Sequence, residues 1–360
     1  MLGILLSAAI VVLFVVDLQV RYRDSIAAAK TNAQSFAKVL AEHATLTFED
    51  VDRALQEAAE IRKDSLDAKN ADLGAVNAAL RQLQRSSSVF VGIGWTDASG
   101  EVLAHSHGQA FPRSNIAGMA HFTVQRDGTD DRLIIAPPFL STQGKWITGV
   151  SRRLSNADGS FAGIVTAAID QSNFTKLYRS IDHGKGGSIF LLHREGRLLA
   201  REPEQANALG RSFSDSPLFK IHLPASEAGS YELTSPVDGK DRIAGYQAVN
   251  GLPLVLTVTY ARSEVLAPWY RHLLTFGLLV VAILVVISFG TFMLVCQANT
   301  LAAKTQALER VNARIDAALG NMPHGLSMFD ASERLLVSNS RYREMYNLTD
   351  EQVRPGTPLS

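Results

Sequence analysis

The chain has 360 residues, and its 35 basic and 35 acidic side chains leave it without net charge at neutral pH. A protein that binds nucleic acid normally shows a basic surplus, so the composition argues against a nucleic-acid partner. The one cysteine is Cys296, so the residues before it can form neither a disulfide with one another nor a cysteine-based zinc site.

An apolar segment opens the chain. Residues 2–16 carry no charge, and Asp17 and Arg21 follow them. This pattern predicts a first transmembrane helix over residues 1–20, although the apolar run is short for a span. A start placed too late, or a sequence cut at its N-terminus, would explain both the short run and the missing basic residues ahead of it. The alternative is a signal peptide cleaved near 27–29, where three alanines stand together.

A long helix is predicted from Asp17 to about Arg85. Ala, Glu, Gln and Lys are frequent there, and apolar residues recur at spacings of three and four. One face should therefore pack on a sheet. The residues assigned to that face are Phe36, Val39, Leu40, His43, Leu46, Val51 and Leu55.

The sequence changes to β-type patterning at Ser86. The predicted strands of this first module are Val89–Trp95, Glu101–His105, Arg132–Ala136, Trp146–Leu154 and Phe161–Ile169. Residues 155–159 (Ser-Asn-Ala-Asp-Gly) form a strong hairpin turn between the last two strands. A helix from Gln171 to Ser180 closes the module.

The pattern then repeats. WTDASGEVLAHS in the first module aligns with LLHREGRLLARE in a second, and residues 184–187 mark the joint between them. Strands are predicted at Gly187–His193, Arg197–Ala200, Gly229–Leu233, Arg242–Gln247 and Leu254–Tyr260. The fold class is therefore α+β, with two tandem antiparallel-sheet modules at about 86–180 and 184–262 inside an outer domain of residues 21–268.

A second transmembrane helix is predicted over residues 270–296. From Leu273 to Cys296 there is no charged residue, and Trp269 and Tyr270 form an interfacial belt beside membrane lipid. Beyond it, Leu301, Leu308 and Ile315 recur every seven residues. This spacing predicts a short coiled coil over 297–318, and therefore a homodimer.

Two stretches resemble known families. Residues 25–265 resemble the double Cache sensor domain, a tandem fold of bacterial receptors, and residues 144–170 (GKWITGVSRRLSNADGSFAGIVTAAID) resemble the type found ahead of diguanylate cyclases. Residues 315–348 (IDAALGNMPHGLSMFDASERLLVSNSRYREMYNL) resemble the opening of a PAS domain. A PAS fold needs about five strands and 315–360 supply two, so the sequence is interpreted as a truncated receptor.

The resemblance implies a transmembrane signalling receptor that senses a small extracellular ligand. The expected output module is a GGDEF or EAL domain of cyclic di-GMP turnover; a sensor histidine kinase, or a receptor with no enzymatic output, is the alternative. The chain has no GGDEF or EAL motif and no phospho-acceptor histidine box after residue 300. It also lacks a P-loop, a dinucleotide fingerprint and a nucleophile elbow. We therefore expect no catalytic residue and no cofactor.

Ligands of Cache domains usually bind the membrane-distal module, which is the first module here. Alternation along the Trp146–Leu154 strand puts Trp146 and Arg152 on one face and Arg153 on the other. Arginine suits a carboxylate and tryptophan forms a pocket wall, while a Cache aspartate at the position of Asp170 often holds a ligand amine. The predicted ligand-binding residues are Arg126, Lys145, Trp146, Arg152 and Asp170, and the predicted ligand is an organic anion.

Alternatives to this site remain open. The arginine pair at the strand end could instead be solvated or bound to carboxylates, and Asp170 could instead cap the helix that follows it. The Arg-x-Trp-Tyr pattern of amino-acid-binding Cache domains is absent, since residues 125–128 read Gln-Arg-Asp-Gly. His105, His107 and His121 suggest a metal, but no carboxylate or cysteine completes the set at a suitable spacing, so no metal site is expected.

The two apolar segments predict the topology. In a bacterial inner membrane, residues 25–268 should be periplasmic and residues beyond Gln297 cytoplasmic. Alkaline phosphatase, which folds only outside the cytoplasm, should be active when fused after residue 200 and inactive when fused after residue 330. Activity in the reverse pattern would disprove this topology.

Overall fold

The protein is described here by a computed structural model. The structure describes residues 2–67, 72–112, 114–129, 131–141, 144–205, 208–236 and 238–358. It divides into two compact units, one of residues 15–274 and one that joins residues up to 14 with residues from 275 onward. The first is the sensor unit, and the second contains the apolar helix segments and the C-terminal region.

Eight α-helices and thirteen strands are described. The helices are α1 (Leu2–Asp67), α2 (Leu73–Arg85), α3 (Ala120–Asp127), α4 (Ser172–Arg179), α5 (Leu223–Ala225), α6 (Arg262–Val265), α7 (Ala267–Gly320) and α8 (Ser340–Met345). A 3₁₀ turn covers Gly108–Ala110 and a π-helical turn covers Leu218–His222. Two helical segments, Gly3–Ser65 and Arg262–Gly320, are long and apolar enough to cross a membrane.

The distal module is built on a six-stranded antiparallel sheet. Its strands are β1 (Phe90–Thr96), β2 (Val102–His105), β3 (Ile134–Ile135), β4 (Phe139–Leu140), β5 (Trp146–Ser155) and β6 (Phe161–Asp170). The order is β2-β1-β6-β5-β3, with β4 also paired to β5. The predicted hairpin β5–β6 is present, with Gly159 at φ 82°, a backbone conformation that glycine adopts without strain.

The proximal module repeats the plan with five strands. These are β7 (Ser188–His193), β8 (Leu198–Glu202), β9 (Ala228–Thr234), β10 (Asp241–Ala248) and β11 (Leu254–Ala261), in the order β8-β7-β11-β10-β9. All the pairings are antiparallel. The predicted α+β class with two antiparallel modules is thus confirmed.

Helix α1 packs on both sheets through one buried face. Its buried side chains are Ala29, Ala33, Ala37, Leu40, Ala41, Ala44, Phe48, Val51, Ala54, Leu55 and Ala58. Those from Ala37 to Ala58 belong to a core that also contains Val150 and Val165 of the distal sheet and Leu256 and Val258 of the proximal sheet. One hydrophobic core therefore joins the helix to both modules.

The predicted buried face of α1 is partly wrong. Leu40, Val51 and Leu55 are buried as expected, but Phe36, Val39, His43 and Leu46 are exposed. The buried face consists mainly of alanines, whose small side chains let the helix approach the sheets closely. A pattern based on large apolar residues therefore selected the wrong stripe over residues 36–46.

The predicted single helix from Asp17 to Arg85 is two helices. Helix α1 ends at Asp67, and α2 begins at Leu73 with Asp72 as its N-cap, whose side chain accepts the Gly74 N–H at 2.8 Å. A capping aspartate beside a glycine starts a new helix rather than continuing the old one. Val76, Leu80 and Leu83 of α2 are buried, and Leu80 belongs to the same core as α1.

Polar contacts join residues 17–22 of α1 to α6 and to the first residues of α7. Trp269 Nε1 donates to the Leu18 carbonyl at 2.9 Å, and His272 Nε2 lies 2.7 Å from Asp17 Oδ2. Arg262 donates to Tyr22 Oη at 2.6 Å. We call these three contacts the juxtamembrane clasp. Within the sensor unit, it joins α1 to α6 and to the first residues of α7.

The C-terminal region begins as predicted for a PAS domain. Strands β12 (Ser327–Phe329) and β13 (Leu335–Ser338) pair antiparallel, and α8 follows. Asn339 caps α8 by accepting the Tyr342 N–H at 2.9 Å, and its amide also donates to the Leu319 and His324 carbonyls. One buried asparagine thus ties the end of α7 to the first strands.

At Gly245, α1 lies very close to the proximal sheet. A Cβ atom placed on it would lie 2.3 Å from the Ala33 carbonyl carbon and the Gln34 nitrogen. We expect Gly245→Ala to push the helix off β10 and lower the free energy of unfolding by about 1–3 kcal/mol. Urea denaturation of the full chain in nanodiscs measures this.

Gly118→Ala is the matched control, because no atom lies within 4 Å of a Cβ there. It should change the unfolding free energy by less than about 0.5 kcal/mol. Equal stability of Gly245→Ala and Gly118→Ala would contradict the close helix–sheet contact.

Candidate ligand-binding site

Small residues form one face of the distal sheet. Gly92 and Gly94 on β1 pair with Ala168 and Thr166 on β6, which in turn pair with Gly149 and Ser151 on β5. Cross-strand partners point to the same side of a sheet. The opposite face carries core residues such as Ile93, Val150 and Val165, which pack with α1. The outer face of the sheet therefore carries small side chains, whereas the inner face carries the larger side chains of the core.

Two histidine rings lie directly on this face. A Cβ placed on Gly92 would be 2.7 Å from His105 Cε1, and one on Gly149 would be 2.8 Å from His121 Nδ1. Strands β1 and β5 flank β6, so their glycines are separated by two strand spacings, roughly 9.5 Å. Between them Thr166 and Ala168 stay half-exposed. We call the part of this sheet face that lies between the two histidine rings the distal hollow.

Aromatic stacking fixes both histidine walls. The His105 ring stacks on Phe111 at 3.8 Å between centroids and on His107 at 5.0 Å. His121 stacks on Phe139 at 6.2 Å. Burial lowers the pKa of His121 to about 4, and burial together with the nearby His107 lowers that of His105 to about 4. Both rings are therefore neutral near pH 7 and offer nitrogen lone pairs or N–H groups to a ligand.

Asp170 stands at the end of the distal hollow. It is the last residue of β6, and alternation places it on the same face as Thr166 and Ala168. Its Oδ1 accepts the Ser172 N–H at 2.9 Å, next to the start of α4. Within the described part of the chain, Oδ2 accepts no hydrogen bond. The N-cap residue of α4 is Gln171 and not Asp170, so Asp170 uses Oδ1 in a turn ahead of the helix and keeps Oδ2 for a ligand.

The structure places Arg152 on the opposite face of β5. Its guanidinium binds the carboxylate of Asp52 on α1 and that of Asp131 at 2.8 Å. The hydrogen bond that Arg152 donates to Asp52 raises the pKa of Arg152. Arg153, by contrast, donates to the Gln125 carbonyl on α3. The predicted alternation along this strand is therefore confirmed, and Arg152 lies where α1 meets the sheet.

The other three predicted residues are dispersed. Arg126 is exposed and pairs with its neighbour Asp127 at 2.8 Å. The Lys145 side chain is exposed. Trp146 packs at the seam between the modules, because a Cβ on Gly210 would fall 2.2 Å from its ring. Of the five predicted residues, Asp170 is the one that we place in the distal hollow.

His105 and His121 were not assigned to a ligand site by the sequence. Among the described residues, no group of three or more His, Cys, Asp or Glu could hold a metal ion. The sequence signal was the glycine spacing, with Gly92, Gly94 and Gly149 all on one face of two strands. The pairing of these strands through β6 is needed before that signal becomes visible.

Comparisons with known proteins agree with this architecture. A family model described as a histidine kinase sensor domain, of the double Cache type, matches residues 171–259, and a PAS fold model matches residues 319–360. No curated protein matches the sequence.

Solved structures give a more extensive match. The extracellular domain of rpHK1S-Z16, designated a histidine kinase, is 34% identical, with a TM-score of 0.60 over 66% of this chain and 97% of that domain. The ligand-binding domain of the Pseudomonas fluorescens chemoreceptor CtaA, solved with L-isoleucine, has 18% identity and a TM-score of 0.51 over 68% of this chain and 95% of that one.

The amino acid chemoreceptor PctB of Pseudomonas aeruginosa PAO1, solved with L-Arg, has 16% identity and a TM-score of 0.52 over 68% of this chain and 93% of its own. These two chemoreceptor domains share the fold. Because the chain is 34% identical to rpHK1S-Z16 over nearly all of that domain, it belongs to the double Cache family of sensor domains.

Proposed function

We propose that this chain is the input half of a membrane receptor that binds a small polar molecule in the distal hollow. The observation that supports this is the combination found there: a floor of small residues, two neutral histidine walls and a half-satisfied carboxylate. Small-molecule sites characteristically place a few polar groups around a preformed concavity.

The ligand class that these groups favour carries an amine or another hydrogen-bond donor. Asp170 offers a carboxylate oxygen, and among the described residues no arginine or lysine of the predicted set forms an ion pair with it. The amino acids bound to CtaA and PctB are consistent with this class. The organic anion expected from Arg126, Lys145 and Arg152 stays a prediction, and the same binding screen tests it.

Two output modules fit this input half. Cyclic di-GMP turnover by a GGDEF or EAL domain is supported by the resemblance of residues 144–170 to sensors that precede diguanylate cyclases. A histidine kinase is supported by the 34% identity to the extracellular domain of rpHK1S-Z16. A GGDEF or EAL sequence in the gene would support the first module, and a phospho-acceptor histidine box would support the second.

We also propose that the receptor is a homodimer in the bacterial inner membrane, with the sensor unit in the periplasm. Exposed apolar stripes on both long helices support a dimer. On α7, Leu301 is 67% exposed, Leu308 66% and Ile315 51%. On α1, Phe36, Val39 and Leu46 are exposed at spacings of three and seven. Stripes with this period pack against a partner helix.

The ligand site is tested by binding to the full chain in nanodiscs. Amino acids, amines and organic acids are screened for a rise in unfolding temperature, and hits are measured by calorimetry. For a hit with an amino group, Asp170→Asn should weaken binding by about 10- to 100-fold, because a charge-assisted hydrogen bond is lost. Asp64→Asn, an exposed aspartate on α1, is the matched control and should bind as the wild type does.

Arg152→Gln separates the two ligand classes. If Arg152 only joins α1 to the sheet, the variant is less stable but binds the hit with unchanged affinity. Full binding by Asp170→Asn together with lost binding by Arg152→Gln would reject the distal hollow and support the anion site predicted from sequence.

The dimer is tested by disulfide cross-linking in membranes. With Cys296 replaced by serine, Leu308→Cys should form disulfide-linked dimers, because position 308 faces the partner in the predicted stripe. Arg310→Cys, outside the heptad stripe, should cross-link much less. A scan of residues 301–318 without any linked dimer would exclude this interface.

A further inference from the structure

Two arginines are buried on the outer face of the proximal sheet. Arg201 on β8 is 6% exposed and Arg242 on β10 is 5% exposed. The strand register puts Arg201, Phe190, Thr257 and Tyr246 in one cross-strand row. Arg242 lies on the same face as Tyr246, four residues away on β10. Buried arginines are normally balanced by carboxylates.

The carboxylates near this pair are too few. Asp238 binds Arg242 at 2.6 Å; burial opposes its ionisation, but hydrogen bonds from Ser235 and Arg242 lower its pKa to about 2. No carboxylate of the described residues forms an ion pair with Arg201, which contacts the neutral amide of Gln205 and stacks over Phe190 at 5.3 Å. Two buried positive charges therefore share one negative charge.

Three buried polar atoms on this face also lack partners. They are Arg201 Nε, Arg242 Nε and Thr257 Oγ1, and within the described residues none of them is hydrogen-bonded. Burial and the positive charge of Arg242 lower the pKa of Arg201, and the negative charge of Asp238 acts against this shift. Unpaired buried charge and unsatisfied donors both destabilise a folded protein.

We propose that Arg201 and Arg242 form a second ligand site, for a small oxyanion such as a carboxylate or a phosphate. Such an anion would supply the missing negative charge and accept the free N–H groups. Arginine suits it because the planar guanidinium donates two parallel hydrogen bonds to a carboxylate or phosphate. This site is separate from the distal hollow and does not depend on the function proposed for it.

The site lies on the sheet whose strand β11 leads into α6 and α7. Arg242 pairs with Ala261, the last residue of β11, and Arg262 then begins α6. Arg242 also donates to the Gly186 carbonyl at the joint between the modules. An anion held by Arg242 would therefore act on the strand that leads into α7.

The test uses the full chain in nanodiscs and four probes: phosphate, sulfate, acetate and succinate, each against sodium chloride at equal ionic strength. At a concentration 100 times its dissociation constant, a bound probe should raise the unfolding temperature by about 5 °C or more. Sulfate and phosphate also stabilise proteins non-specifically. The relevant quantity is thus the difference in this rise between wild type and Arg201→Met.

At least one probe should stabilise wild type and lose most of that effect in Arg201→Met and Arg242→Met. In chloride alone, Arg201→Met should unfold no earlier than wild type, because it removes an unpaired buried charge. If Arg242→Met does not fold, Arg201→Lys still tests the site: it keeps the charge, loses the fork and should bind at least about tenfold more weakly.

Two control variants test whether the probe binds at Arg201 and Arg242. Arg194→Met removes an exposed arginine of the same module, which pairs with Glu227, and Asp170→Asn alters the distal hollow; both should keep the full rise. The proposal is overturned if no probe stabilises wild type beyond Arg201→Met, or if the rise survives in both Arg201→Met and Arg242→Met.

Discussion

The packing of one helix face against two sheets holds the sensor unit together. Helix α1 contributes alanines where it meets the proximal sheet, and larger residues such as Phe48 and Leu55 further along. The alanines allow the approach at Gly245, where helix and strand backbones touch. Because both sheets share this helix and one core, neither module can repack without affecting the other.

Local sequence patterns predicted much of this fold. The hairpins, the repeat of the two modules and the faces of β5 follow from turn residues and alternation, which are local properties. The break between α1 and α2 was missed because the apolar periodicity continues past Asp72, whereas a single capping side chain determines the new start. The buried stripe of α1 was partly missed because alanine carries little hydrophobic signal.

The candidate site was less predictable. Arg152 resembled a ligand group because its partner Asp52 lies 100 residues earlier, and no local pattern connects the two. The histidine walls depend on which strands are neighbours, since β6 separates the two glycine rows. The two modules also differ in charge: the distal face combines neutral histidines with a carboxylate, whereas the proximal face buries two guanidinium groups. A common fold therefore presents two different chemistries.

The close contact at Gly245 is a point about which α1 could tilt as a rigid helix. Asp52, bound to Arg152 on the distal sheet, lies 19 residues beyond Ala33, which is roughly 28 Å along a helix. Asp17, in the juxtamembrane clasp, lies 16 residues before Ala33, or roughly 24 Å. If the helix tilts as a rigid rod about Ala33, a shift of about 1 Å at Asp52 moves Asp17 by about 0.8 Å in the opposite direction. The end of α1 near the membrane would then move in the opposite direction to the distal end, and by a similar distance.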